Sequence, residues 1–211
     1  MRESLVLETE KMKKIYAGYA KFYDLIFKNF FYPRQRHVIQ SLGIKPGEWV
    51  LDVGIGTGLS LSLYPPYCNV LGIDLSGPML KVAAKKVMKN GFGHVCLAEM
   101  DALKLALKDD TFDYVIATFV ISVVPNPVQL IEEMKRVSKK DGRIVIVNHF
   151  QSRHKVVAKI EEIISPLCTK VGWRSDLALD YLIKNGNLEV DNHYKMKKLD
   201  LWSVIVANNN K

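Results

Sequence analysis

The stretch Val50-Leu51-Asp52-Val53-Gly54-Ile55-Gly56-Thr57-Gly58 constrains this chain of 211 residues more than any other. An apolar run ends in three alternating glycines, and a second hydrophobic segment follows until Pro65-Pro66 stops it. Glycines at that density weaken helix and strand alike. They serve where the backbone must turn tightly or stand bare against a ligand. The switch from a buried strand to the N-terminus of a helix is such a place.

The rest of the chain continues the alternation. Period and punctuation predict strands at Trp49–Val53, Asn69–Asp74, His94–Ala98, Phe112–Thr118 and Arg143–Asn148. Between them fall a short helix at Thr57–Leu63, a helix capped by Ser76 that runs to about Asn90-Gly91, and one from Asn126-Pro127 to about Lys140. Strands alternating with helices predict an α/β fold with a mostly parallel sheet and helices on both faces. Beyond residue 150 the pattern changes. A helix over His154–Val171, interrupted at Pro166, precedes a shorter one near Asp176–Lys184. Two strand-like stretches, Leu188–Met196 and Leu201–Ala207, predict a C-terminal antiparallel hairpin at the sheet edge. No linker splits the chain. The expected organisation is a helical cap over residues 1–44 on a single compact unit over residues 45–211. The polar end Asn208-Asn209-Asn210-Lys211 is expected to fray.

Composition narrows the class. The longest nearly apolar run, Val115–Val124, is ten residues, too short to cross roughly 30 Å of hydrocarbon as a helix. Cys68, Cys96 and Cys168 form no CxxC pair and read as buried thiols in a reducing, cytoplasmic compartment. The histidines do not gather with cysteines or carboxylates at metal-ligand spacing, so no metal is expected. The net charge of +8 sits on the flanks: residues 1–41 carry eight Lys/Arg against four Asp/Glu, and residues 150–211 ten against seven. Basic flanks suit an anionic surface.

The carboxylates decide what the glycines hold. A P-loop needs a Lys-Ser/Thr pair after its last glycine, and a dinucleotide loop needs its third glycine one residue later; neither is present. Asp52 beside the loop would repel a pyrophosphate but suits a ligand with a positive end. Asp74 ends the second predicted strand, where a carboxylate accepts hydrogen bonds from both hydroxyls of a ribose. Asp101, after the third strand, is placed to accept from an exocyclic amine. Ribose, adenine and a cationic end without phosphates describe S-adenosylmethionine.

Asp52-x-Gly54-x-Gly56-x-Gly58, Gly72-Ile73-Asp74-Leu75-Ser76 and Asp101-Ala102 together resemble the class I S-adenosylmethionine-dependent methyltransferases over about residues 45–150. The resemblance implies a Rossmann-like seven-stranded sheet. It also implies a cofactor site made by Tyr23, Asp52, Gly54, Gly56, Thr57, Gly58, Asp74, Leu75, Met79, Asp101, Ala102 and Thr118. S-adenosyl-L-homocysteine would be the product, and no metal would be needed.

The flanks bear on the methyl acceptor. Ile15, Tyr16, Tyr19, Phe22, Tyr23, Ile26, Phe27 and Phe30 recur at helical spacing among Lys11, Lys13, Lys14, Lys21 and Lys28. Such a helix suits packing on the core, and equally an anionic membrane surface. With Ile121-Ser122-Val123-Val124-Pro125-Asn126-Pro127, Val147-Asn148-His149-Phe150 and Gly172-Trp173-Arg174-Ser175-Asp176, the tyrosine-rich start is similar to the short bacterial phospholipid N-methyltransferases. These methylate phosphatidylethanolamine toward phosphatidylcholine. Their glycine motif often carries Glu where this chain has Asp52, which keeps the carboxylate.

That resemblance implies a peripheral membrane enzyme acting on a phospholipid. His149 would take or relay the amine proton, Tyr16 and Tyr19 would orient the amine, and Arg174 with Arg153 would hold the lipid phosphate. Plainer roles, as packing or surface residues, remain open for each of these. A membrane quinone or another small molecule is the alternative acceptor, with RNA behind it. The exit of the fourth strand reads Ala117-Thr118-Phe119-Val120, not the Asn-Pro-Pro-aromatic form that holds a base amine, and no cysteine stands there for cytosine chemistry. No nucleic-acid partner is therefore expected.

Overall fold

The computed structural model describes residues 18, 23–152, 159, 163, 175–196 and 200–211. Tyr16, Tyr19, Arg153, Arg174, Cys168 and most of the helix expected over residues 154–171 lie outside the described residues, as do the side chains of Tyr23 and Ile26.

The described chain runs α1 (Tyr23–Ser41), β1 (Trp49–Val53), β2 (Asn69–Asp74), α2 (Gly77–Asn90), β3 (Val95–Glu99) and β4 (Phe112–Thr118). It continues with α3 (Pro127–Val137), β5 (Ser138–His149), α4 (Leu179–Asn185), β6 (Glu189–Tyr194) and β7 (Trp202–Asn208). The strands form one sheet in the order β3-β2-β1-β4-β5-β7-β6. The first five are parallel, while β7 runs antiparallel to both of its neighbours.

Side-chain alternation along β1 explains the layering. Leu51 and Val53 enter a core with Leu130, Ile131 and Met134 of α3 and Leu182 of α4. Val50 enters a second core with Val38 and Ile39 of α1 and Leu80 and Ala83 of α2. The sheet is thus covered on both faces, as parallel sheets require.

Local departures from the sequence reading have physical causes. The helix expected over Thr57–Leu63 is only a 3-10 turn at Leu61–Leu63. Gly58 stands at φ +73, outside the right-handed helical region, so the α-helical path cannot begin there. Ser76 precedes α2 but makes no side-chain cap. Pro78 lacks one of the N–H groups that a cap would bond. Asn126 does cap α3, accepting from Gln129 N. That helix ends at Val137, and β5 takes the residues expected to prolong it.

The polar end does not fray through Asn209. That side chain is buried and donates from Nδ2 to the carbonyls of Lys135, Ser138 and Lys139, stitching the chain end to the α3–β5 junction. Cys68 is buried as expected, but Cys96 is exposed because β3 is an edge strand. Among the described residues, no helix is long and apolar enough to cross a membrane.

Candidate active site

The chain passes from edge strand β3 to β4 on the far side of β1. The crevice above this switch is where ligands bind in open α/β sheets. A cleft opens there to solvent. Its floor is Gly54 and Gly56, and one side is Asp74, Leu75, Ser76 and Met79. The opposite side is Asp101, Ala102 and Leu103, and the roof runs from Thr118 to Val120 with Val123–Pro125.

The glycine loop is locked to β2. Gly54 N and Ile55 N donate to Ile73 O at 2.8 and 2.9 Å. Gly56 N donates to Asp74 Oδ2 at 2.9 Å, and Ser76 N donates to Asp74 Oδ1 at 2.8 Å. Asp74 also lines the cleft, where its carboxylate can accept further hydrogen bonds. Burial raises its pKa, the Ser76, Gly56 and Leu75 amides oppose that rise, and Glu99 adds to it. Asp101 Oδ1 accepts from Leu103 N, which leaves acceptor capacity on that carboxylate too. Ser76 Oγ is buried without a partner among the described residues. Two carboxylates, an uncommitted hydroxyl and an apolar roof around bare backbone fit a nucleoside carrying no phosphate.

The comparisons agree with this geometry. The family model described as "Methyltransferase domain" matches residues 51–146. The chain is 38% identical over 185 residues to a phosphatidylethanolamine N-methyltransferase of Cereibacter sphaeroides, covering 87% of this chain and 90% of that protein. The chain belongs to the S-adenosylmethionine-dependent methyltransferases. It is also 32% identical over 152 residues to a demethylmenaquinone methyltransferase of Anoxybacillus flavithermus, covering 67% of this chain and 63% of that one. Among solved structures, phosphoethanolamine N-methyltransferase 2 of Haemonchus contortus, in complex with S-adenosyl-L-methionine, superposes with a TM-score of 0.74 at 18% identity. That match covers 92% of this chain and 57% of the other.

Eight of the residues expected to hold the cofactor line the methyltransferase's cleft: Gly54, Gly56, Asp74, Leu75, Met79, Asp101, Ala102 and Thr118. Asp52, Thr57 and Gly58 do not. Strand alternation turns Asp52 to the same face as Val50, under the loop. There Oδ2 accepts from Ser60 Oγ and Tyr64 Oη, both at 2.7 Å. Thr57 is buried and donates its hydroxyl to Asp24 of α1. Gly58 packs on Leu61 and Ala83.

Of the roof, the sequence reading assigned only Thr118 to the cofactor site; Phe119, Val120 and Val123–Pro125 were not assigned to it. Phe119 stands at φ +63, an unfavourable conformation for a non-glycine residue. Its ring stacks on Phe31 of α1 at 4.1 Å between centroids. The signal available was the apolar run after β4. The contribution of α1 had no local signal, because Gln35 Nε2 reaches Thr118 Oγ1 from 83 residues away. His149, at the end of β5, does not line the cleft; its Nδ1 meets Leu201 O at 2.8 Å.

Asp52 gives the ligand-free methyltransferase a pH signature. Burial lifts its pKa from the ordinary 3.8 to about 6, Ser60 and Tyr64 counter part of the rise, and Asp74 adds to it. Its Oδ1 has no partner among the described residues. A raised folded-state pKa gives stability that is whole below pH 3.8 and lost as pH rises through about 6. The loss amounts to about 3 kcal/mol. Asp52→Asn is neutral and keeps an acceptor for both hydroxyls. Its melting temperature relative to the parent is expected to climb between pH 4 and about 6.5, then level off. Parallel melting curves for the two proteins across that range would show that Asp52 does not titrate in the folded state.

Proposed function

We propose that this enzyme transfers methyl groups from S-adenosylmethionine to the headgroup amine of phosphatidylethanolamine at a membrane surface. The observation that carries the reading is the 38% identity to a phosphatidylethanolamine N-methyltransferase across nine-tenths of that protein. In this reading Asp74 holds the ribose hydroxyls, Asp101 the adenine amine, and Gly54 and Gly56 give the ligand access to backbone. Asp52 places negative charge beneath the cationic end. The cofactor supplies an electrophilic methyl group on a sulfonium.

The chain's own groups must prepare the acceptor. An alkylammonium with a pKa near 10 is neutral in only about one part in a thousand at pH 7. A base is therefore needed. His149 is held with Nδ1 against a carbonyl, so the neutral ring carries its lone pair on Nε2. Tyr16 and Tyr19 are proposed to orient the amine, with Arg153 and Arg174 on the lipid phosphate. Exposed Leu25, Lys28 and Phe30 on α1 and exposed Leu201 support contact with an anionic bilayer.

The demethylmenaquinone methyltransferase relatives favour a second reading, a quinone ring as acceptor. The apolar roof and the Phe119–Phe31 stack suit a flat ring. One assay separates the two. Methyl-labelled S-adenosylmethionine is incubated with the protein and liposomes of phosphatidylethanolamine and an anionic lipid, with or without demethylmenaquinone. Label is expected in mono-, di- or trimethylated lipid. Label in the quinone alone moves the assignment to the second reading.

A further inference from the structure

Arg34 of α1 sits at the junction between the cap helix and the turn that enters β7. Its Nε and Nη2 donate to Asp200 Oδ1 at 3.1 and 2.7 Å. Its guanidinium lies 4.0 Å over the Trp202 ring. Asp200 Oδ1 also accepts from Trp202 N at 3.2 Å. The Asp200 side chain is 4% exposed and that of Arg34 18%, so the pair is largely out of water. Burial acts to raise the Asp200 pKa, but Arg34 and the Trp202 amide outweigh it and the net direction is down. Asp200 is thus an anion held by one cation, and removing either partner strands a buried charge.

Between Asp200 and Trp202 stands Leu201. Its carbonyl meets His149 Nδ1 at 2.8 Å, and His149 pairs with Trp202 across β5 and β7. A carbonyl only accepts, so Nδ1 donates to it. The position of that carbonyl therefore selects the imidazole tautomer and its ring orientation. Arg34 fixes the turn through a forked ion pair and a stack, and a lysine cannot reproduce both.

We propose that Arg34 is a positioning residue for the reaction. Through Asp200 it holds the 200–202 turn that keeps His149 in the Nδ1–H tautomer, with Nε2 as the proton-accepting nitrogen. This rests on His149 being the base of the proposed function. It makes α1 a catalytic support, since the same helix reaches the glycine loop through Asp24 and the roof of the cleft through Phe31 and Gln35.

The test compares Arg34→Gln, Arg34→Lys and Asp200→Asn in the full chain. Turnover is measured on phosphatidylethanolamine liposomes, together with KM for S-adenosylmethionine. The His149 ring nitrogens are followed in long-range 1H–15N spectra, which report the tautomer without any turnover. Arg34→Gln is expected to lower kcat about tenfold and leave that KM within about twofold. Its His149 is expected to move from the Nδ1–H tautomer to a mixture. Arg34→Lys keeps the charge opposite Asp200 and is expected to recover part of both losses.

An Arg34→Gln protein whose His149 stays in the Nδ1–H form overturns the proposal, whatever its kcat. If that variant does not fold, the isosteric Asp200→Asn carries the same test: a mixed tautomer supports the proposal and a retained one overturns it. His149→Gln isolates the underlying reading. Full turnover in that variant removes His149 as the base, while the ring-nitrogen spectra of the Arg34 variants still decide whether Arg34 sets the tautomer.

Discussion

Asp74→Ala is expected to abolish measurable binding of S-adenosylmethionine. The carboxylate stands between two demands, with Gly56 N and Ser76 N on its protein side and the proposed ribose hydroxyls on its cleft side. A hydrogen bond to a charged group is worth about 1.5–3 kcal/mol. Losing two to the ligand removes roughly 3–6 kcal/mol, which weakens Kd by about 10²–10⁴-fold. The alanine also leaves the Gly56 amide without its acceptor, so the loop loses one of its ties to β2. Asp74→Asn keeps an acceptor oxygen and is expected to fall between parent and alanine. Calorimetric titration with S-adenosylmethionine decides the matter. An unchanged Kd in Asp74→Ala would remove Asp74 from the ligand and leave it as a loop brace.

The sheet could be read from the sequence because the central strands are apolar runs with glycine, acidic or other polar punctuation at one end or the other, Asp74 ending β2 and Asp109-Asp110-Thr111 preceding β4. That punctuation is local. Phe112–Thr118 and Asn69–Asp74 occur at the expected bounds for this reason. The cleft residues contributed by strand ends were equally legible, since a parallel sheet delivers them all to one edge. Asp52 was legible as a carboxylate beside the loop but not in its direction. Only the pairing of Val50 with α1 and α2 shows that it faces inward to Ser60 and Tyr64. The Arg34–Asp200 pair joins residues 166 apart and left no local pattern at either end. Asn209 read as a frayed tail because three asparagines and a lysine are polar wherever they stand. Its burial depends on three carbonyls at the α3–β5 junction, those of Lys135, Ser138 and Lys139.

Gly54 explains why the glycine cluster is needed, and two substitutions can separate its two causes. The residue stands at φ +70, and a Cβ on it would lie 2.2 Å from Val120 Cγ2. The left-handed backbone costs an ordinary residue about 1–2 kcal/mol, and forcing a methyl into packed side chains costs about 1–3 kcal/mol. Gly54→Ala is therefore expected to lose roughly 2–5 kcal/mol of stability. Because Val120 belongs to the roof of the cleft, the cofactor should also bind more weakly. Val120→Ala removes the nearest contact; Val120 Cβ, which remains, would lie 3.4 Å away, an ordinary distance. In that background Gly54→Ala should cost only the backbone term. The two substitutions are thus expected to be non-additive by about 1–3 kcal/mol, measured as a double-mutant cycle in denaturant. Additive losses would mean that conformation alone demands the glycine. A full non-additivity that also restores cofactor affinity would mean that the bare backbone at Gly54 exists to let the roof close over the loop.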